Sequence, residues 1–302
     1  MAFSSLRALI SGAVTDNRYA IFGFGNSGSV TAITNLVSNT GVVSTDTPAV
    51  SGATARNYLA AAAYGGDKAI FGFGSGYTSI TNLVTNIGVV ILDTAGVAGA
   101  TARGFLAAAG YGGDKAIFGY GHAASGYASM SNKVSNVGVV IIDSANVGTA
   151  RNALTAAGYG TDKAIFGYGN NGTTYVAMKN LVDNAGAVVV DGASVGTARD
   201  YLAATGYGID KAIFGYGTNG SYLSLTNLVS NSGVVATDTT GVGTARSHLA
   251  AAGFGADKAI FGYGTTGSYS SLTNLVSASG VVATDTTGVG TARVDLAAAS
   301  YG

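Results

Sequence analysis

The fold is decided by the stretch TARNYLAAAAYGGDKAIFGFG, which occupies residues Thr54–Gly74 and is repeated along the chain. It returns as TARGFLAAAGYGGDKAIFGYG at Thr101–Gly121, and its opening residues Thr-Ala-Arg return at 149, 197, 244 and 291. The Ile-Phe pair inside it recurs at 21, 70, 117, 165, 213 and 260. A nearly constant period of about 48 residues along a whole chain indicates a repeat architecture.

Each repeat contains four short apolar runs. In the second copy these runs are Tyr58–Tyr64, Lys68–Phe73, Thr78–Val84 and Gly88–Leu92, and they are separated by Gly, Asp, Asn, Ser and Thr. Such spacing predicts four antiparallel strands joined by turns. The Ala-rich run is too short between its turns to nucleate a helix.

Four strands in each of six units predict an all-β fold, a six-bladed β-propeller that forms a single domain over residues 1–302. Small alanine side chains suit strands that crowd around a central channel, and the larger Ile-Phe pairs would fill the space between neighbouring blades. An open β-solenoid is the alternative architecture.

The arginine-containing first strand occurs seven times, whereas the other three runs occur six times. We expect the last copy, Leu296–Tyr301, to join the sheet that Arg18–Phe24 begins, so that the C-terminal strand closes the first blade. Residues 1–17 are then a degenerate extra copy of the first strand. The reverse assignment, in which the N-terminal copy closes the ring, stays open.

Composition excludes several classes of function. The 302 residues carry a formal net charge of zero, only 10% are charged, and there is no cysteine. Disulfides and thiolate metal sites are therefore absent, and no basic surface indicates nucleic-acid binding. No stretch approaches the ~20 apolar residues that a membrane span needs. We expect no cofactor, no metal site and no membrane insertion.

The segment ARNYLAAAAYGGDKAIFGFG resembles the kelch repeat, in which an arginine and a small-residue inner strand precede a turn and a strand that runs into glycines. This resemblance implies a kelch-like propeller. The phrases TNLVSNTGVVSTDT and DKAIFGYG resemble repetitive proteins of tailed phages, especially marine and cyanobacterial ones. That second resemblance implies a virion or tail-associated protein, located on the virion or outside the cell.

The repeated arginines lie at the start of the first strand and are predicted to surround one mouth of the channel. There they would either hold an anion or make hydrogen bonds to the nearby loop and its aspartate. These arginines are Arg56, Arg103, Arg151, Arg199, Arg246 and Arg293.

Most other charges also follow the repeat, so they would form rings of identical groups. Catalysis usually needs unlike groups at one point. A glycan hydrolase would need convergent acids, but the acids outside the repeat register, Asp16, Asp183, Asp200 and Asp295, are not obliged by their spacing to meet. We therefore expect a protein that is not an enzyme.

Variation between copies is concentrated just after the arginine and in the loop between the second and third strands. Antiparallel strands place both sets on one face, and their Tyr, Asn, Ser, Thr and His are typical of an adaptable binding surface and suit sugar rings. The expected partner is a host-surface glycan or another virion protein. The alternative is a purely architectural or engineered, consensus-like scaffold. The predicted binding residues are Tyr58, Tyr77, His122, Tyr127, Tyr175, Tyr201, Tyr222, His248 and Tyr269.

Overall fold

The computed structural model describes residues 18–302, and this part of the chain is all-β, without a helix. Its strands, numbered β1 to β21 in chain order, form seven three-stranded antiparallel sheets in a repeating, propeller-like arrangement. Within residues 18–302 there is accordingly no helix of the length and hydrophobicity needed to cross a membrane.

Six of the sheets follow the sequence repeat, and each has an inner, a middle and an outer strand. The inner strands are β3 (Ala60–Tyr64), β7 (Ala107–Tyr111), β12 (Thr155–Tyr159), β15 (Ala203–Tyr207), β18 (Ala250–Phe254) and β21 (Ala297–Tyr301). The middle strands are β1 (Tyr19–Gly23), β4 (Lys68–Gly72), β8 (Lys115–Gly119), β13 (Lys163–Gly167), β16 (Lys211–Gly215) and β19 (Lys258–Gly262). The outer strands are β2 (Thr34–Val37), β5 (Thr81–Val84), β11 (Ser131–Val134), β14 (Lys179–Val182), β17 (Thr226–Val229) and β20 (Thr273–Val276).

The seventh sheet is small and lies in the loops of the third repeat. It contains β6 (Arg103–Gly104), β9 (His122–Ala123) and β10 (Gly126–Tyr127), in the order β10-β9-β6. Equivalent loops of other repeats make single bridges at the same place, such as those that join Thr218 to Asp200 and to Tyr222.

The middle strand of each repeat is buried on both faces. In β4 the residues Ala69 to Gly72 are all buried, because sheets of neighbouring repeats cover the strand from either side. This explains why the repeat has a continuous apolar run, Ala-Ile-Phe, at this point instead of an alternating pattern.

The fourth apolar run of each repeat forms no regular strand. In the second repeat it makes only isolated bridges, from Val90 to Val84 and from Thr94 to Thr81. The outer strand advances three residues between these bridges while the fourth run advances four, so the fourth run carries one extra residue, as in a β-bulge. Each repeat therefore has three of the four predicted strands, and the fourth run forms a bulged edge. Such an irregular edge hinders pairing of the sheet with a strand of another chain.

The C-terminal strand β21 pairs with β1, in the register Ala20↔Ser300 and Gly23↔Ala297. The predicted pairing of Leu296–Tyr301 with Arg18–Phe24 is therefore confirmed. The predicted extra copy in residues 1–17 lies outside the described residues.

Neighbouring sheets pack by placing a phenylalanine of one middle strand on a glycine of the preceding one. A Cβ atom on Gly72 would lie only 2.7 Å from Cζ of Phe118, so this approach requires a glycine. The same contact joins Gly23 to Phe71, Gly119 to Phe166, Gly167 to Phe214, Gly215 to Phe261 and Gly262 to Phe22. The last of these contacts, between Gly262 and Phe22, joins the final middle strand to the first one.

The inner strands contact one another in the same cyclic order, from β3 through β7, β12, β15, β18 and β21 back to β3. They surround a channel that is lined mainly by alanine and glycine. Small side chains are needed here because neighbouring inner strands pack closely around the channel.

Candidate functional site

One mouth of the channel is closed by a ring of backbone hydrogen bonds. The residue two positions after each repeated arginine donates its N–H to the carbonyl oxygen of its counterpart in the preceding repeat, at N···O distances of 2.9 to 3.0 Å. The N–H of Tyr58 completes the circle by donating to the backbone carbonyl oxygen of Asp295. We call these six residues the axial ring: Tyr58, Phe105, Ala153, Tyr201, His248 and Asp295.

All six members of the axial ring have a positive φ, between 49° and 58°. Residues other than glycine adopt this left-handed conformation rarely, and it costs roughly 1–2 kcal/mol for each. The conformation is retained here in spite of that cost, and it is accompanied by the closed circle of hydrogen bonds.

A second ring lies next to the axial ring. The residue after each member is a buried leucine, and these leucines narrow the channel. Beyond the leucines the channel is wider. This part has a cavity volume of about 290 Å³ and is lined in part by the lysines and aspartates of the turns between inner and middle strands. The leucines are Leu59, Leu106, Leu154, Leu202, Leu249 and Leu296.

The side chains of the axial ring stack in pairs. The ring centroids of Tyr58 and Phe105 are 3.8 Å apart, and those of Tyr201 and His248 are 3.7 Å apart. Phe105 and Tyr201 meet edge to face at 6.4 Å across Ala153, which contributes no ring of its own. The axial ring and the leucines enclose a depression of about 80 Å³.

Asp295 is the charged member of the axial ring, and its side chain is only 5% exposed. Its carboxyl group accepts hydrogen bonds from the hydroxyl of Tyr58 and from Nδ2 of Asn57, the latter at 3.4 Å, and Oδ1 lies 3.8 Å from Nε2 of His248. Burial raises the pKa of Asp295 to about 7, although these hydrogen bonds oppose the rise. The carboxyl group therefore titrates near neutral pH.

His248 is neutral in this environment. Burial lowers the pKa of its imidazole to about 4. Nδ1 of the ring lies 2.7 Å from the hydroxyl oxygen of Ser247, a hydrogen-bonding distance. A neutral imidazole cannot balance the charge of Asp295 at physiological pH.

A second buried carboxyl group lies beside the axial ring. Burial raises the pKa of Asp200 to about 7, and its Oδ1 has no hydrogen-bond partner among the described residues. Burial raises the pKa of Tyr201, and the charges of Asp200 and Asp295 raise it further.

Five tyrosines from the loops between middle and outer strands lie on the same face, and we call them the tip tyrosines: Tyr77, Tyr127, Tyr175, Tyr222 and Tyr269. Four of them are 40% to 46% exposed. Two of them act electrostatically on the axial ring: Tyr127 raises the pKa of Tyr201, and Tyr269 raises the pKa of Tyr58, although burial is the larger cause in both cases.

The predicted residue His122 lies between two tip tyrosines. Its Nδ1 is 3.0 Å from the hydroxyl of Tyr77, and its ring meets Tyr127 edge to face at 5.0 Å. Among the described residues, no ring contact joins Tyr175 or Tyr222 to another aromatic side chain. The nine predicted binding residues therefore form one axial group, one cluster around His122, and separate tips.

The repeated arginines do not face the channel mouth. Arg103 is fully buried, donates from Nε to the carbonyl oxygen of Tyr120 at 2.8 Å, and donates from Nη2 to Oδ1 of Asn132 at 2.6 Å. Its guanidinium lies 4.6 Å from the ring centroid of Phe73, and Nη1 lies 3.7 Å from Asp143. All six arginines share the contacts to the carbonyl oxygen, the aromatic ring and the aspartate.

This is the second of the two arrangements expected for the arginines, a hydrogen bond to the nearby loop and an ion pair with its aspartate. A guanidinium group with no exposed surface has no face left for an anion. The predicted anion ring of Arg56, Arg103, Arg151, Arg199, Arg246 and Arg293 is therefore replaced by six buried packing contacts.

Three axial residues and one adjacent acid were not among the predicted binding residues: Phe105, Ala153, Asp295 and Asp200. The signal for them is the variation just after each arginine, which the sequence does show. Choosing only tyrosine and histidine from that variation missed the acids.

Among residues 18–302, no three or more His, Asp, Glu or Cys side chains are grouped so that they could hold a metal ion. No known protein-family model matches the chain. The chain also has no significant match among curated proteins.

Proposed function

We propose that the chain is a six-bladed, kelch-like β-propeller that acts as a binding module without catalysis. The ring architecture is supported by three circuits of six contacts each: the axial hydrogen bonds, the phenylalanine-on-glycine contacts and the order of the inner strands. An open solenoid would leave the first and last repeats apart, whereas β21 pairs with β1.

The proposed ligand is a glycan bound by the face that carries the tip tyrosines. The observation that supports this most directly is the tyrosine in five of the six loops, 40% to 46% exposed in four of them and next to Asn, Ser and Thr. A tyrosine ring offers an apolar face to a sugar ring, and short polar side chains offer hydrogen bonds to its hydroxyls. The same loops could contact another virion protein, and the glycan is the ligand that we test.

The protonation states near the axial ring favour binding over hydrolysis. Burial raises the pKa of Tyr58 to about 12, so its hydroxyl stays protonated and is a poor nucleophile at neutral pH. The repeated arginines, which a glycan hydrolase could otherwise use to bind an anionic substrate, are occupied by packing contacts. We propose a virion or tail appendage of a tailed phage as the setting, on the resemblance of the repeat phrases alone.

A glycan array tests the proposed function with the double variant Tyr175→Ala, Tyr222→Ala. Neither ring contacts another aromatic residue, so the change should leave the fold intact. The matched control is Val190→Ala, Val234→Ala, which truncates two exposed apolar side chains of the outer edge in the same repeats. We expect saturable glycan binding by the parent and the control, and at least tenfold weaker binding by the tyrosine variant.

Two results would contradict the proposal. If the parent binds no glycan, the purely architectural scaffold is the better account. If the tyrosine variant binds as tightly as the control, the tip tyrosines are not the recognition surface.

A further inference from the structure

The axial ring differs from the other rings of the protein because its members are unlike one another. Four are aromatic or imidazole rings, Ala153 leaves a gap, and Asp295 lies beside His248 and Tyr58. The surrounding rings repeat one residue type, for example the six leucines. Unlike the leucines, the side chains of the axial ring therefore differ from repeat to repeat.

Within residues 18–302, no lysine or arginine forms an ion pair with Asp295. Its hydrogen-bond donors, Tyr58 and Asn57, are neutral, and burial keeps His248 neutral above pH 4. The arginine two residues earlier, Arg293, extends to Asp46 and has its guanidinium over the ring of Tyr263. When ionised, Asp295 is a buried negative charge beside an open depression.

We propose that the axial ring binds an organic ammonium cation, seated in the depression against Asp295 and the rings of Tyr58, Phe105 and Tyr201. A carboxylate supplies the opposite charge, and aromatic rings attract a cation to their faces with about 0.5–2 kcal/mol each. This inference does not depend on the proposed glycan function, because it uses the axial ring and not the tips of the loops.

The depression favours an organic cation over a metal ion or a neutral molecule. Its floor is made of leucines, which suit methyl or methylene groups, and its volume of about 80 Å³ is several times what one water needs. Within residues 18–302, no group of three or more His, Asp, Glu or Cys side chains is present that could hold a metal ion. A neutral occupant would not pair the charge of the ionised carboxylate, so it would gain nothing from the charged form of Asp295.

A second carboxyl group, that of Asp200, adds to the negative electrostatic potential at the axial ring. Asp200 has one buried oxygen without a hydrogen-bond partner in the described part of the chain, and it acts on the hydroxyl of Tyr201 together with Asp295. Two acids from different repeats therefore both act electrostatically on Tyr201, which lines the depression.

Binding should depend on pH because a cation favours the ionised form of Asp295. With a pKa of about 7, the affinity should increase about tenfold for each unit by which the pH is raised toward 7, and it should level off above pH 7. Tyr58 and His248, which face Asp295, have pKa values of about 12 and 4 and do not titrate in this range. Asp200 titrates in the same range, so the variant Asp200→Asn is included to separate its contribution.

The test is a titration of the full chain with tetramethylammonium chloride near pH 8, followed by tyrosine fluorescence and compared with sodium chloride at equal ionic strength. We expect a saturable response, and at least tenfold weaker affinity for Asp295→Asn. The variant Ala153→Phe should abolish binding, because a ring would fill the gap. The backbone accepts this change, since Phe105 occupies the same position one repeat earlier. Asp183→Asn, which removes an exposed acid outside the axial ring, should bind as the parent does.

The proposal is overturned if the parent gives no saturable response beyond that of sodium chloride, or if sodium saturates the same response. It is also overturned if Asp295→Asn and Ala153→Phe both keep the affinity of the parent. The variant Tyr175→Ala, Tyr222→Ala should keep the cation response, so failure of one proposal is distinguishable from failure of the other.

Discussion

Replacing a repeated arginine should strongly destabilise the fold, and Arg151→Met measures how much. Its Nε, Nη1 and Nη2 donate to Tyr168 O at 2.9 Å, Thr149 O at 3.1 Å and Asn180 Oδ1 at 2.7 Å. The guanidinium also lies 4.2 Å from the ring centroid of Tyr120. Three unsatisfied acceptors cost about 1 kcal/mol each at the low end, and the lost cation–π contact about 1 kcal/mol. We therefore expect the free energy of unfolding to fall by about 4 kcal/mol.

Urea unfolding followed by tyrosine fluorescence and far-ultraviolet circular dichroism measures this loss. Lys163→Met is the control, since it removes an exposed cation from the same repeat and should cost less than about 0.5 kcal/mol. A loss below about 1 kcal/mol for Arg151→Met would refute the packing role. So would sulfate that stabilises the parent but not the variant, because it would show that an anion reaches the guanidinium.

Two further predictions concern packing and pH. Gly167→Ala should lower the free energy of unfolding in urea by about 2 kcal/mol, because the added Cβ would lie 2.8 Å from Cζ of Phe214. The control Gly158→Ala should be nearly neutral, because Ala63 occupies the equivalent position in the second repeat. Equal effects of the two variants would contradict the intersheet contact. The native carboxyl of Asp200 keeps its proton up to a pKa of about 7, while the unfolded chain loses it near pH 4, so its contribution to stability falls as pH rises through this range. Asp200→Asn should therefore gain about 2 to 4 kcal/mol relative to the parent between pH 4 and pH 8, and a gain that does not depend on pH would contradict the raised pKa.

The inner, middle and outer strands and the pairing at the ends of the chain could be predicted from the sequence. The signals are local: turn residues bound each run, and the arginine phrase occurs once more than the other runs. The failure of the fourth run to form a strand could not be predicted in this way. It depends on one extra residue between two bridges, and that count is known only when the register with the outer strand is known.

The role of the arginines could not be predicted from the sequence either. An arginine at a channel mouth and one buried over an aromatic ring have the same spacing, and only packing between neighbouring sheets decides between them. In the structure, Arg151 lies over Tyr120 of the preceding repeat. The variable positions predicted the face of the candidate site but not its acids. Asn57 and Asp295 meet across 238 residues, a contact that exists only because the C-terminal strand joins the first sheet, beside the second repeat.

The most direct measurement concerns the seam between the two ends of the chain. The chain has no cysteine, so the pair Ala20→Cys, Ser300→Cys can be compared with Ala63→Cys, Ala69→Cys, the equivalent pair inside one hairpin of the second repeat. Directly opposed residues of antiparallel strands lie within the range of a disulfide. A closed ring predicts that both variants form an intramolecular disulfide to a similar extent in the folded monomer. If only the hairpin pair oxidises, or the seam pair links separate chains, the ring is not closed by its C-terminal strand.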